Sequence, residues 1–350
     1  MTTTDGTQEP TWKRLINQIE RREDLTSEEA SWAMRQMLSE DSDPVQVAGF
    51  LVGLHTKGET AAELAGFSEV MLELARPYSG PREAVDIVGT GGDQLNTVNI
   101  STMASLVMAG AGATVVKHGN RASSSTTGSA DALERLGVPL DADPERVEAA
   151  AAEIGIGFLF ANTYHPAMRH LSPIRRRLNV PTVINYLGPL SNPARVRSSV
   201  IGVARENMAP LMADVFAERG DHALVFTGPM NLDELSLIGP NLIWETHGGE
   251  VSRTVLDVAD IDLPPNTIAD ITGQGAEYNA DVIRRVLAGE HGPIRNTVLL
   301  NAAAGLVVTE PDTSTPLAER INAAIARAAV SVDTGAAQAV LERWIEFLKG

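Results

Sequence analysis

The sequence predicts an α/β protein: a small N-terminal all-helical domain, then a large α/β domain whose central mixed, largely parallel sheet is flanked by helices. Three observations lead there. Up to about Ala75 the apolar residues recur at helical spacing, as in Trp12, Leu15, Ile16 and Ile19. Arg76-Pro77-Tyr78-Ser79-Gly80-Pro81 then has the proline and glycine density of a linker. From Ala84 on, short β-branched runs alternate with alanine-rich stretches, the order that builds parallel or mixed sheets.

Each element has its own signal. Thr26 with Glu29 is a capping box opening a helix through about Leu38, and Thr60 with Glu63 repeats it through about Ala75. Between them Asp43-Pro44 reads as N-cap and first residue of a helix ending before Gly58. Residues 1–80 are the expected small domain. Strands are expected at Val85–Val88, Thr114–Lys117, Gly157–Phe160, Thr182–Asn185, Val200–Val203, His222–Phe226, Leu242–Glu245 and Thr297–Leu300. Helical patterns lie between several of them, for example Met208 to Arg219. The chain closes on an amphipathic helix striped by Ala337, Leu341, Trp344 and Leu348.

Composition narrows the function classes. At 350 residues the chain exceeds the usual size of one compact domain. A net charge of −17, spread without long acidic runs, argues against a nucleic-acid or anionic-membrane surface. The absence of cysteine excludes disulfides, thiolate metal sites and a cysteine nucleophile, and is compatible with a cytoplasmic location. MTTTDGTQEP lacks the basic and apolar regions of a signal peptide, and no apolar segment suits a bilayer. His165 and His170 are spaced wrongly to share a helix face, so no metal site is expected there.

The chemistry concentrates in two stretches. Val88 to Ser101, VGTGGDQLNTVNIS, joins an expected strand to an expected helix through Gly89, Gly91, Gly92 and Asp93. Missing side chains let backbone approach a phosphate, and the helix start offers unpaired N–H groups. An ordinary strand-to-helix turn would contain the same lone GTGG. The second stretch, Lys117-His118-Gly119-Asn120-Arg121 followed by Ser123-Ser124-Ser125-Thr126-Thr127-Gly128-Ser129, adds two cations, an imidazole, an amide and a run of hydroxyls. Such groups suit phosphate-rich ligands, and the end of a strand is where α/β sheets bind them.

These motifs resemble those of the anthranilate phosphoribosyltransferases of tryptophan biosynthesis. GTGGD, NTVNIST and KHGNR are followed in the family's order by Tyr164-His165-Pro166-Ala167-Met168, Pro173-Ile174-Arg175-Arg176, Leu187 to Ala194 (LGPLSNPA) and Leu232-Asp233-Glu234-Leu235-Ser236. The resemblance runs from the N-terminal helices to the C-terminal one. It implies transfer of phosphoribose from 5-phosphoribosyl 1-diphosphate to the amino group of anthranilate, releasing diphosphate, with two Mg2+ ions. By resemblance, Gly89, Gly92, Asp93, Thr97, Asn99, Ser101, Thr102, Lys117, Ser125 and Ser129 hold the sugar diphosphate. Ser101, Asp233 and Glu234 would hold the metal, whose hard character suits oxygen ligands beside phosphates. Gly89, His118, Asn120 and Arg175 would line the anthranilate path. The small domain would also take helices from about 166–198, leaving 81–165 and 199–350 as the phosphoribosyl-binding domain, and the protein would be a homodimer.

Arg175 has a physical argument of its own. Arg169, Arg175, Arg176 and Arg177 concentrate charge in an acidic chain, and a planar fork grips a carboxylate well. One functional arginine is expected, with the others at the surface. No residue is assigned as acid or base: the aniline nitrogen is already neutral near pH 7, so the difficulty lies in diphosphate departure, which positioning and electrostatics can assist. Three positions depart from the family pattern: Gln94 and Asn179 for glycine, and Thr227 for histidine. Two rivals share some features. A pyrimidine nucleoside phosphorylase has this fold but places a lysine just before a Ser-Thr-Gly-Gly run, which GTGGD lacks. A non-catalytic paralogue binding nucleic acid or protein would call for a basic groove or eroded motifs.

Overall fold

The computed structural model describes residues 9–122, 126–310 and 312–350, so Ser125 lies outside the described residues. In chain order the elements begin with helices α1 (Trp12–Glu20), α2 (Ser27–Met37), α3 (Pro44–Lys57) and α4 (Ala61–Glu73). Next come β1 (Val85–Gly89), α5 (Ile100–Gly110), β2 (Val115–Gly119), α6 (Ser129–Leu136), α7 (Pro144–Glu153) and β3 (Ile156–Phe160). Helices α8 (Ala161–Tyr164), α9 (Met168–Leu178) and α10 (Ile184–Leu190) lead to β4 (Ser198–Gly202), α11 (Ala209–Arg219) and β5 (His222–Thr227). The hairpin β6 (Asn241–His247) and β7 (Glu250–Leu256) precedes α12 (Ala276–Leu287), α13 (Pro293–Val308), α14 (Leu317–Asp333) and α15 (Ala336–Lys349).

The chain divides into two compact units: one takes the chain through Ala75 with His165–Leu187, the other Arg76–Tyr164 with Gly188–Gly350. In the helical unit both capping boxes form as expected, Thr26 with Glu29 and Thr60 with Glu63. Glu63 does more than cap. Wholly buried, it also accepts the Leu25 N–H at 2.9 Å and pairs with Lys57 at 3.0 Å, tying the start of α2 to α4. Gly66 lets α4 approach α2, since a Cβ there would lie 2.2 Å from the Ser27 carbonyl.

The α/β unit is built on one seven-stranded sheet in the order β3-β2-β1-β4-β5-β6-β7. The first five are parallel, and the β6–β7 hairpin adds antiparallel at one edge. From β1 the chain winds outward through β2 to β3, returns to β4, and winds the other way. The reversal leaves a crevice beyond the carboxyl ends of β1 and β4, where such sheets bind ligands. Helices α5 and α13 pack on one another and on β1 and β4, with α14 and α15 against them. No described helix is long and apolar enough to cross a membrane.

Two expected strands are helical. Thr297–Leu300 lies inside α13, whose residues from Thr297 to Val308 are all buried. An apolar run buried on every side carries no helical period, so it reads equally as a central strand. Thr182–Asn185 runs into α10, where the Asn185 side chain accepts the Thr182 N–H at 3.3 Å and starts the helix. Strand β7 was not expected. Most of it is exposed, so no apolar alternation marks it.

A buried ion cluster pins the hairpin. Glu245 on β6 accepts both Arg320 nitrogens, at 2.8 and 2.7 Å, and meets His222 Nε2 at 3.1 Å. Burial would raise the Glu245 carboxyl, but the hydrogen bonds from His222 and Arg320 together hold it down at about 2. A depressed carboxyl stabilises the fold above its ordinary value of 4.5 and loses that contribution as pH falls through about 2. Glu245→Gln is therefore expected to cost about 3–5 kcal/mol at pH 7, because Arg320 is left buried without its carboxylate. The gap between variant and native protein should close by about 3 kcal/mol between pH 5 and pH 2 in urea unfolding.

Candidate active site

Asp233 sits in the β1–β4 crevice because two glycines leave it room. A Cβ on Gly89, the last residue of β1, would lie 2.2 Å from Asp233 Oδ2. A Cβ on Gly202, the last of β4, would lie 1.8 Å from the Asp233 carbonyl oxygen. The Gly91 N–H donates to Asp233 Oδ2 at 2.6 Å. Thr90 joins the strand ends: its N–H donates to the Gly202 carbonyl at 2.9 Å, and its hydroxyl accepts the Ala204 N–H at 3.1 Å. Neither Gly202 nor Thr90 had a role in the sequence reading. Nothing local in Val200-Ile201-Gly202-Val203 signals the carbonyl that approaches it.

The loop from Gly91 to Asn96 is left-handed at four of six positions: Gly91 (φ 68°), Gly92 (φ 92°), Gln94 (φ 61°) and Asn96 (φ 52°). Gln94 thus holds a left-handed conformation that glycine would adopt freely, at a cost of about 1–2 kcal/mol for an L-residue. Asp93 Oδ1 accepts the Leu95 N–H at 3.0 Å, and Thr97 bridges to Thr272. The Asn99 amide is engaged at both ends, donating to the Thr127 carbonyl at 3.2 Å and accepting from Asn279 at 2.9 Å. Thr97 and Asn99 therefore serve the loop's own shape as the structure stands.

Helix α5 starts beside Lys117. The ammonium, only 2% exposed, donates to the Ile87 carbonyl and, at 3.3 Å, to Ser101 Oγ. The Ser101 backbone draws the Glu234 carboxyl down, against the burial and the Asp233 charge that raise it. Thr102 is fully buried, and its hydroxyl has no hydrogen-bond partner among the described residues. Behind β2, Asp86 accepts the His118 N–H at 3.1 Å and the Asn192 side chain at 2.8 Å. Asn192 also donates to the Val116 carbonyl at 2.8 Å, which explains the SNP of LGPLSNPA as a clamp across β1 and β2. His118 Nδ1 lies 3.0 Å from the Gly188 carbonyl.

In the second loop Asn120 is exposed, its Oδ1 taking the Arg121 N–H at 2.8 Å. Arg121 is structural, paired with Asp131 and Glu134 at 3.0 and 2.9 Å. Gly128 is required for close approach, since a Cβ there would lie 2.3 Å from the Ala122 nitrogen. Ser129, the first residue of α6, follows directly.

The electrostatics of the crevice suit a cation. Burial, and then the charge of Asp93, push the Asp233 carboxyl up to about 8. Burial and Asp233 raise Glu234 well above its ordinary value. Burial also lowers the Lys117 ammonium, against the pull of Asp86 and Glu234, while Asp86 itself is pushed by burial up to about 6. Among the described residues no three acidic or imidazole side chains enclose a metal by themselves. The adjacent Asp233 and Glu234 carboxylates are hard oxygen donors of the kind magnesium takes, one or two at a time, completing its shell with water and substrate phosphates.

Arg175 belongs to the helical unit, in the last turn of α9. It is half-buried, and no ion pair holds it among the described residues; burial lowers its pKa. Arg176 and Arg177 are exposed, as is Arg169, which pairs with Glu40 at 3.2 Å.

A helical unit together with an α/β unit built on such a mixed sheet is the domain make-up of a class of glycosyl transferases. The chain matches that family's helical bundle domain over residues 13–75 and its a/b domain over residues 81–338. It is 53% identical over 340 residues to anthranilate phosphoribosyltransferase from Arthrobacter sp. (strain FB24), covering 97% of each chain. It is 50% identical to that of Salinispora arenicola (strain CNS-205), again over 97% of each. Among solved structures it is similar to the enzyme of Thermus thermophilus, with a TM-score of 0.89 and 40% identity over 96% of this chain and 99% of that one. The Saccharomyces cerevisiae enzyme in complex with PRPP and Mg gives a TM-score of 0.86 at 26% identity, over 97% and 98%. The chain belongs to the anthranilate phosphoribosyltransferase family.

Proposed function

We infer that this chain transfers phosphoribose from 5-phosphoribosyl 1-diphosphate to the amino group of anthranilate, and that the residues around the β1–β4 crevice carry the transfer. The observation that supports this most directly is the meeting of Lys117, the start of α5 and the Asp233–Glu234 pair at one crevice. The backbone of the 89–97 loop, Ser101, Thr102, Lys117, Ser125 and Ser129 would hold the sugar diphosphate. The orphan Thr102 hydroxyl is a donor that a ligand could use. Asp233, Glu234 and Ser101 would hold two magnesium ions, which when bound neutralise the charge that develops on departing diphosphate. Lys117 adds a fixed positive charge from beneath, at no reorganisation cost.

Arg175 would grip the acceptor carboxylate, with His118, Asn120 and Gly89 lining its path. No residue is needed to deprotonate the aniline nitrogen, and no covalent enzyme intermediate is expected; a trapped ribosyl-enzyme adduct would sink that mechanism. The chain is further read as a cytoplasmic homodimer joined through its helical unit, where Val45 and Val52 of α3 are exposed one heptad apart.

The test is to mix protein, magnesium and donor and follow the loss of anthranilate fluorescence. No loss, with phosphorolysis of uridine instead, would overturn the assignment. Arg175→Ala should weaken acceptor use by about 1–3 kcal/mol, seen as a raised KM for anthranilate with donor KM unchanged. An unaltered variant would remove Arg175 from the acceptor site.

A further inference from the structure

The chain leaves the acidic pair through Leu235 and Ser236, and a buried asparagine holds each of these residues by its backbone. Asn301, fully buried in α13, accepts the Leu235 N–H through Oδ1 at 3.1 Å and donates back to the Leu235 carbonyl through Nδ2 at 2.7 Å. The same Nδ2 donates to the Thr297 carbonyl one turn earlier at 2.9 Å, which fixes which end of the amide faces which partner. Asn241 repeats the pattern on Ser236, accepting its N–H and donating to its carbonyl, both at 3.0 Å. Side chains here make the two-way exchange that a neighbouring strand would otherwise provide. An amide does this without charge, whereas an ionised carboxylate accepts but cannot donate and an aliphatic side chain does neither.

The clamp matters because of what precedes it. Asp233 and Glu234 are adjacent, half-buried acids, and the first is reached by the Gly91 N–H at 2.6 Å, so a shift of this short segment would move both carboxylates relative to the glycine loop. Upstream the backbone is itself unusual, with Met230 and Asn231 both left-handed at φ 59° and 61°. Downstream, Leu235 is anchored in the core at 0% exposure. We propose that Asn301 is a positioning residue for the divalent-cation site: by fixing the Leu235 peptide it sets where Asp233 and Glu234 present their oxygens. This rests on reading Asp233 and Glu234 as the cation ligands.

The test measures cation binding without turnover. Free Mn2+ is followed by its electron paramagnetic resonance signal in the presence of inorganic diphosphate, with no acceptor. Asn301→Ala removes both halves of the clamp, and Asn301→Asp keeps the acceptor and loses the donor. Both are expected to weaken Mn2+ binding by about 10–100-fold, the range for residues that orient metal ligands, with Asn301→Asp the milder. Thr297→Val, one turn away in the same helix, disturbs the packing of α13 but leaves the clamp. It should lower the melting temperature without changing Mn2+ binding. Folded Asn301 variants that bind Mn2+ like native protein would overturn the proposal, as would Thr297→Val weakening binding equally. The double variant Asp233→Asn, Glu234→Gln separates the two inferences. If it too binds like native protein, the acidic pair is not the cation site and the role of Asn301 falls with it. If it loses binding while the Asn301 variants keep theirs, only the role of Asn301 falls.

Discussion

Gly202→Ala is expected to reduce kcat/KM by about 100-fold or more while the protein still folds. The new methyl group would lie 1.8 Å from the Asp233 carbonyl oxygen and 2.4 Å from its carbon. Both atoms are backbone, so no side-chain rotation relieves the contact, and the 232–234 segment must move. Overpacking of this kind costs about 1–3 kcal/mol of stability, which a protein of this size tolerates. Displacing catalytic groups by about 1 Å is enough to cost about 100-fold in rate. Gly49→Ala is the control, since a Cβ there meets nothing within 4 Å. It should leave kcat/KM unchanged and raise stability by about 0.5–1 kcal/mol, as expected in the middle of α3. Circular dichroism and steady-state rates on both variants decide the matter. A fully active Gly202→Ala would mean that Asp233 does not need its observed position.

Lys117→Met should lower kcat/KM for the sugar diphosphate by about 100- to 1,000-fold, the range seen when one preorganised electrostatic contact is lost. Methionine fills a similar volume, so packing in this almost fully buried place is largely kept. What disappears is the positive charge that offsets Asp86 and Glu234. Asp86 then rises further, since burial already dominates it. Arginine should not rescue the variant, because a guanidinium fork does not fit where the ammonium reaches the Ile87 carbonyl and Ser101 Oγ. Separate titrations of donor and acceptor are the check: the loss should fall on the donor. An equal loss on both would make Lys117 a structural cation instead.

These expectations rest on contacts of very different legibility. The Thr26 and Thr60 caps, the Asp43-Pro44 start and the glycine loop could be read because each is decided within a few residues. The missed hairpin was also local. Gly248 and Gly249, at φ 60° and 83°, make the tight turn between β6 and β7, and the Gly-Gly pair was the available signal. Thr297–Leu300 misled for the opposite reason, because complete burial erases the period that separates helix from strand. The candidate site was legible where it consists of charged and glycine-rich motifs. Its supports were not. Gly202 needs Asp233 to explain it, Asn192 needs Asp86, Asn279 needs Asn99 and Asn301 needs Leu235, and each pair is closed only by the fold.

The reach of those pairs has a consequence for the making of the protein. The Gly91–Asp233 bond spans 142 residues of chain, and the Leu235–Asn301 clamp a further 66. Contacts so distant in sequence form slowly, because loop closure must be met before they reward it. On the ribosome the glycine loop is made early and waits, with β1 lacking its central neighbour until β4 emerges. The acidic residues that are to face it arrive next, and their clamp comes last, on α13. The nascent chain thus carries its glycine loop long before it carries the acidic pair that faces it.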